Sequence, residues 1–119
     1  MSHLGRGIDM AGSDLYTGTL DVLILKALSA GPQHGYAIGL WLRRRSAEVL
    51  QVQEGVLYPA LHRLLRKKWV KAKWGVTETN RRAKFYSLTS SGEKHLVAET
   101  SRLREHSEAV LTVLGALRS

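Results

Sequence analysis

In the stretch EGVLYPALHRLLRKK, residues 54–68, Leu57, Leu61, Leu64 and Leu65 recur at i, i+4, i+7 and i+8. That spacing lines one side of a helix. Tyr58, His62, Arg63, Arg66 and Lys67 fall on the other sides, so an apolar face is backed by a phenol hydroxyl, an imidazole and cations. Pro59 is tolerated only near a helix start. The helix is therefore predicted to begin near Glu54 or Gly55, with Gly55, Val56 and Tyr58 at its N-terminal end. Immediately downstream, Val70, Ala72 and Trp74 alternate with Lys71, Lys73 and Gly75. This period of two marks a half-buried strand over about 70–77. A second strand, about 84–88, carries Phe85, Tyr86 and Leu88, and the turn between them holds Arg81 and Arg82.

Upstream, Leu20, Leu23, Ile24, Ala27 and Leu28 give a helical stripe over about 18–30, and Val22 and Leu25 make that helix apolar nearly all round. Such a helix is central, touching the core on one side and a further surface on the other. Gly31-Pro32 ends it. A second helix, about 34–47, puts Ala37, Ile38, Trp41 and Leu42 on one face and closes on Arg43, Arg44 and Arg45. Neighbouring residues sit about 100° apart, so these arginines cannot share a face. They suit the negative end of a helix dipole, and one of them could also reach a phosphate. Residues 49–53 read as an extended connector that could pair with the hairpin. Residues 1–16, rich in Gly and without a sustained period, read as a mostly disordered arm.

After Leu88 comes a hydroxyl-rich start in which Ser90 and Glu93 are spaced as a capping box. The helix that follows is predicted to run to about Leu117. Leu96, Leu103, Val110 and Leu117 recur every seven residues, with Val97, Leu111 and Leu114 beside them and with Thr100 and Ser107 as interruptions. No later element exists to cover this stripe. An apolar stripe without an intrachain partner implies another chain. Leu20, Leu96, Leu103, Val110, Leu114 and Leu117 are the candidate dimerisation residues, with the first helix packing against the last.

Charge placement changes the picture more than composition does. The chain has 119 residues and a net charge of +8. Residues 43–86 carry +9, residues 1–42 carry −1 and residues 87–119 carry 0. The whole excess lies on the basic helix, the hairpin and the arginines just before them. That is the footprint of a polyanion binder. A basic helix followed by a basic hairpin is the layout of a winged helix-turn-helix, with the helix in the major groove and the hairpin tip on the backbone or minor groove. The predicted fold class is mainly α with a small β-wing. Residues 1–16 form the arm, 17–89 the winged helix-turn-helix and 90–119 a long C-terminal dimerisation helix. Candidate DNA-binding residues are Gly55, Val56, Tyr58, His62, Arg63, Arg66, Lys67, Arg81, Arg82 and Lys84. There is no Cys and no membrane-length apolar run or signal-peptide core, which points to the cytoplasm.

With those elements in place, the chain resembles the PadR family of bacterial transcription regulators. The resemblance rests on Gly18-Thr19-Leu20 through Leu25-Lys26-Ala27-Leu28, and on His34-Gly35-Tyr36-Ala37-Ile38. It continues through residues 55–64 (GVLYPALHRL) and 80–89 (NRRAKFYSLT), and covers about residues 15–117. The short last helix is similar to the family's compact subgroup with a single C-terminal dimerisation helix. The resemblance implies a homodimeric repressor on a pseudo-palindromic double-stranded DNA operator, derepressed by a small aromatic effector such as a phenolic acid or planar drug. It also implies that Tyr58 contacts a phosphate and that Arg81, Arg82 and Lys84 form the basic wing. Three positions depart from the family pattern. Val56 replaces a common hydroxyl residue, so a polar contact at the head of the helix is either missing or replaced by apolar contact with a thymine methyl. Lys68 stands where Gly usually ends the basic helix, so that end is expected to fray or carry strain. Leu103 replaces a common aromatic, which weakens the case for ligand stacking at the dimer centre.

Other function classes fare worse. The five His, at 3, 34, 62, 95 and 106, lack paired metal-ligand spacing, and no Ser-His-acid or paired-carboxylate cluster is visible, so neither an enzyme nor a cofactor is expected. A winged-helix interaction module without DNA binding does not explain the +9 segment, and a constitutive DNA binder without effector is the remaining alternative. RNA binding needs exposed aromatic platforms, whereas Trp69 and Trp74 stand at core-like positions of a strand pattern.

Overall fold

The computed structural model describes residues 8–10 and 17–116. In chain order it contains β1 (Ile8–Met10), α1 (Thr17–Leu28), β2 (Gln33–His34), α2 (Gly35–Arg45) and β3 (Leu50–Val52). These are followed by α3 (Glu54–Arg66), β4 (Val70–Val76), β5 (Arg82–Leu88) and α4 (Ser90–Leu114). The fold is therefore mainly α with a small β-wing. The core forms around α1. Leu20, Ile24, Leu25, Ala27 and Leu28 are all but fully buried, because α2, α3, α4 and β5 surround the helix. The apolar character of α1 on every side is thus used up within one chain. Leu20, expected at a dimer contact, is 1% exposed and belongs to this core. Leu96, at 8%, does too, packed where α4 crosses α1.

The buried stripe of α3 is Leu57, Ala60, Leu61 and Leu64, with Leu65 only half-buried at its edge. A Schellman motif ends the helix: Trp69 N–H donates to Leu64 O at 3.1 Å and Lys68 N–H to Leu65 O at 3.0 Å. Lys68 takes the left-handed position at φ 62°. The strain expected there is present, without fraying, since Thr89 and Ser91 hydroxyls both donate to the Lys68 carbonyl, at 2.8 and 3.1 Å. Thr89 is also the cap of α4, its Oγ1 accepting from Gly92 N–H at 3.1 Å. The capping box predicted on Ser90 is replaced by this one-residue-earlier cap. Gly92 then falls at the third helical position, where any Cβ would lie 2.0 Å from Trp69 O. His95, one turn on, stacks on the Trp69 ring at 3.6 Å. At the far end Gly115, left-handed at φ 71°, stops α4 at Leu114, three residues short of the expected Leu117. Leu117 itself lies outside the described residues.

Two strand pairings differ from the sequence expectation. The connector at β3 does not join the hairpin; it pairs in parallel with β1, Ile8 opposite Leu50 and Met10 opposite Val52. Three residues of the segment read as a disordered arm are therefore a strand, and the rest of 1–16 lies outside the described residues. The hairpin's third strand is instead β2, giving the antiparallel order β2-β5-β4. Pro32 ends the helical run, and His34, as the extended cap of α2, accepts from Ala37 N–H through Nδ1. The chain between them is left extended beside β5, Gln33 opposite Tyr86 and His34 opposite Phe85.

Candidate nucleic-acid interface

The exposed face of α3 follows from helical geometry. At about 100° per residue, Gly55, Tyr58, His62 and Arg66 fall within roughly 80° of one another, opposite the Leu57–Leu61–Leu64 stripe. Gly55, His62, Arg66 and Lys67 are exposed, Tyr58 is 39% exposed, and Val56 is half-buried against the core. The ring of Tyr58 lies on the first residue of α2: a Cβ on Gly35 would stand 2.6 Å from its hydroxyl. Gly35 thus lets the helix-turn-helix close tightly and fixes where the Tyr58 hydroxyl emerges. Tyr86, 5% exposed, is the floor beside it. Burial, and then the neighbouring Tyr58, raise its hydroxyl pKa above the ordinary tyrosine value, so it stays neutral.

Arg63 is the charged candidate of α3 that turns inward. Its guanidinium donates to Asp21 Oδ1 of α1 at 2.9 Å, and the Asp21 side chain is only 5% exposed. Helical position explains this, because Arg63 lies on the flank between the exposed and buried faces. The pair ties the basic helix to the core helix and commits the arginine to an internal partner. Asp21 was not singled out in the sequence, although an acid inside an otherwise apolar helix signals a buried counter-charge.

The wing begins at the core and leaves it. Val70 and Tyr86 at its base are buried; Ala72, Trp74 and Val76 further out are exposed. The period-2 pattern therefore separates two faces of a ribbon, and full burial ends at Val70 on β4 and at Tyr86 on β5. Trp74, read as core, is 55% exposed. It stands opposite Lys84, two pairs from Arg82 and on the same face. The Arg82 guanidinium lies 4.9 Å and the Lys84 ammonium 5.7 Å from its ring centroid. At the tip, Thr77 N–H donates to Arg81 O, Asn80 N–H to Thr77 O, and Arg81 N–H to Thr77 Oγ1. Asn80 takes the left-handed position at φ 62° that Asn tolerates well. This closed turn presents Arg81 and Arg82 to solvent.

Between α3 and the wing runs an open cleft of about 920 Å³. Tyr58, Tyr86 and Gly35 line its inner part, and Tyr36, Trp74, Arg81, Arg82 and Lys84 its lips. Among the described residues, none of Arg66, Lys67, Arg81, Arg82 and Lys84 forms an ion pair; the ion-paired cations are Arg43 with Glu48, Arg63 with Asp21 and Arg102 with Glu99. Of the three arginines ending α2, Arg43 is thus held by Glu48 and Arg45 lies over the Trp41 ring at 5.7 Å. The arrangement is an unneutralised cationic surface with an aromatic hydroxyl at its centre, suited to a run of phosphates.

Comparison with known proteins agrees. The Transcriptional regulator PadR-like family matches residues 24–98. An uncharacterized protein of Lysinibacillus sphaericus is 30% identical over 99 residues, spanning 81% of this chain and 91% of that protein. A transcriptional regulator from Clostridium thermocellum superposes with a TM-score of 0.74 at 27% identity, covering 87% of this chain and 97% of that one. A PadR family transcription regulator from Clostridium difficile does so with a TM-score of 0.69 at 28% identity, covering 80% and 97%. The chain belongs to the PadR-like family of transcriptional regulators, winged-helix proteins that act by binding DNA and not by catalysis.

Proposed function

We propose that this protein is a homodimeric, cytoplasmic repressor that binds a pseudo-palindromic operator and is released from it by a small aromatic effector. Each subunit lays α3 in a major groove with Gly55, Val56, Tyr58 and His62 toward base edges and backbone, and sets Arg81, Arg82 and Lys84 of the wing on adjacent phosphates. Residues 17–89 are the DNA-binding unit and 90–119 the dimerisation segment, with α4 as its helix. The observation that carries the reading is the set of unpaired cations gathered on one side of α3 and the wing. The dimer is supported by α4, whose second half exposes Val110, Leu111, Val113 and Leu114. The effector is supported by the family resemblance and by the apolar centre that two such helices would enclose.

Fluorescence anisotropy with a duplex from the upstream region of its own gene tests this. Affinity should fall steeply with salt, with a log–log slope of about −0.9 per neutralised phosphate. A flat salt response would remove the DNA-binding assignment of this surface. Titration of the complex with phenolic acids should release the duplex; retention of the complex at saturating acid would leave a constitutive binder.

A further inference from the structure

We propose that Trp74 is a DNA-contact and positioning residue: an aromatic platform on the wing that holds Arg82 and Lys84 toward phosphates. The inference deepens the DNA-binding reading and rests on it. A tryptophan more than half exposed on a soluble surface needs an account, since a large apolar ring left in water gains nothing from folding. Core packing does not supply one, because Trp74 lies outward of Tyr86, the outermost buried residue of the hairpin, whose partner Ala72 is itself exposed. What the ring does touch is charge. Arg82 and Lys84 lie within 4.9 and 5.7 Å of its centroid, inside the range of a cation–π attraction. The hairpin register makes this arrangement persistent: Lys84 is the direct cross-strand partner of Trp74, and Arg82 is the diagonal one on the same face. That face lines the cleft shared with Tyr58.

Stacking does not spend the cations. A guanidinium lying on a ring uses its π-face, and its N–H donors remain at the edge, free for phosphate oxygens. A long side chain free in solvent must be ordered when it meets a phosphate. Here the ring has ordered two of them beforehand, and binding gains by preorganisation. The same ring, at the lip of the cleft, is placed to pack on a deoxyribose once phosphates settle between wing and α3. Because phosphates and sugars are the same at every step of the duplex, the contribution is independent of sequence.

The test compares the full-length protein with Trp74→Leu, which keeps apolar bulk but no ring, and Trp74→Phe, which keeps a ring. Anisotropy is read on the upstream duplex and on a scrambled duplex of equal length. The Leu variant should lose roughly tenfold in affinity on both duplexes. Its salt slope should become shallower by up to about 1.8, two phosphates at about 0.9 each. The Phe variant should recover most of both, with melting temperatures unchanged. Tryptophan emission of the wild type should be quenched by DNA, and that quenching should disappear in Trp74→Phe. The proposal is overturned by a Leu variant that binds like wild type, by a loss confined to the upstream duplex, or by quenching that survives in Trp74→Phe. If wild type itself shows no salt-dependent binding to either duplex, the DNA-binding reading fails first and this inference with it.

Discussion

Three side chains along α3 and at its exit test separate physical claims. Tyr58 packs against Gly35 with its hydroxyl and ring edge nearest, and the residue as a whole is 39% exposed. Removing that hydroxyl in Tyr58→Phe keeps the packing and deletes one hydrogen bond to a charged group, which costs about 1.5–3 kcal/mol of DNA binding. Melting temperature should hold while affinity drops; the reverse pattern would make Tyr58 a packing residue. Arg63 should behave in the opposite way. Asp21 is buried and its charge is met by the Arg63 guanidinium at 2.9 Å. Arg63→Ala strands a buried carboxylate, and since the arginine is partly exposed the expected loss is about 2–4 kcal/mol of folding stability. Urea unfolding measures it, and a variant as stable as wild type would show that water replaces the arginine at no cost. Lys68 holds a left-handed φ of 62°, which a Cβ makes unfavourable and glycine accepts freely. Lys68→Gly should therefore stabilise the fold by about 0.5–1 kcal/mol, read as a rise of a few degrees in Tm. No rise would mean that the Thr89 and Ser91 bonds to the Lys68 carbonyl already absorb the strain.

At the level of elements, the proposed reading divides recognition between the wing and α3. Arg81 and Arg82 stand exposed at the hairpin tip; if they reach phosphate and groove as proposed, replacing both with Ala should weaken binding to all sequences alike and flatten the salt slope. His62, on the exposed face of α3, should change preference between sites when replaced, with little change in the slope. Competition with scrambled duplex separates the two outcomes; equal losses on every sequence for His62→Ala would take α3 out of base readout. The elements themselves are legible in the sequence, because a leucine stripe at helical spacing and an excess of charge confined to 43–86 are local signals. What the sequence hid depends on distant surfaces. Alternation in β4 distinguishes two faces but cannot say whether anything covers them, which is how Trp74 reads as core while lying in solvent. Arg63 finds its partner 42 positions away, a pairing set by how α1 and α3 cross. Three adjacent hydroxyls, Thr89, Ser90 and Ser91, stand at the start of α4, and Thr89 caps it with Gly92 fitting under the Trp69 carbonyl.

For the whole molecule the deciding feature is α4. Its 25 residues extend about 37 Å, in a molecule whose longest dimension is 49 Å. The first half is anchored on α1 through Leu96, and Leu103 is half-buried. Beyond that point every described residue of the helix is exposed, Val110 at 43% and Leu114 at 70% among them. Among the described residues nothing buries this stretch, and in the proposed dimer it is the surface that a second copy would cover. Placing Asp at both Val110 and Leu114 would put unpaired charges into that seam, where each costs several kcal/mol if desolvated. The variant should be a folded monomer, since neither position contributes to the protomer's own core. DNA affinity should collapse with dimerisation, because a lone subunit reaches one half-site and the two half-sites of a dimer lie about 34 Å apart, one helical turn. Sedimentation velocity and anisotropy on the same preparation read both properties. A dimer that persists would move the subunit contact elsewhere on the surface, and a monomer that binds as tightly as wild type would leave α4 without a part in recognition.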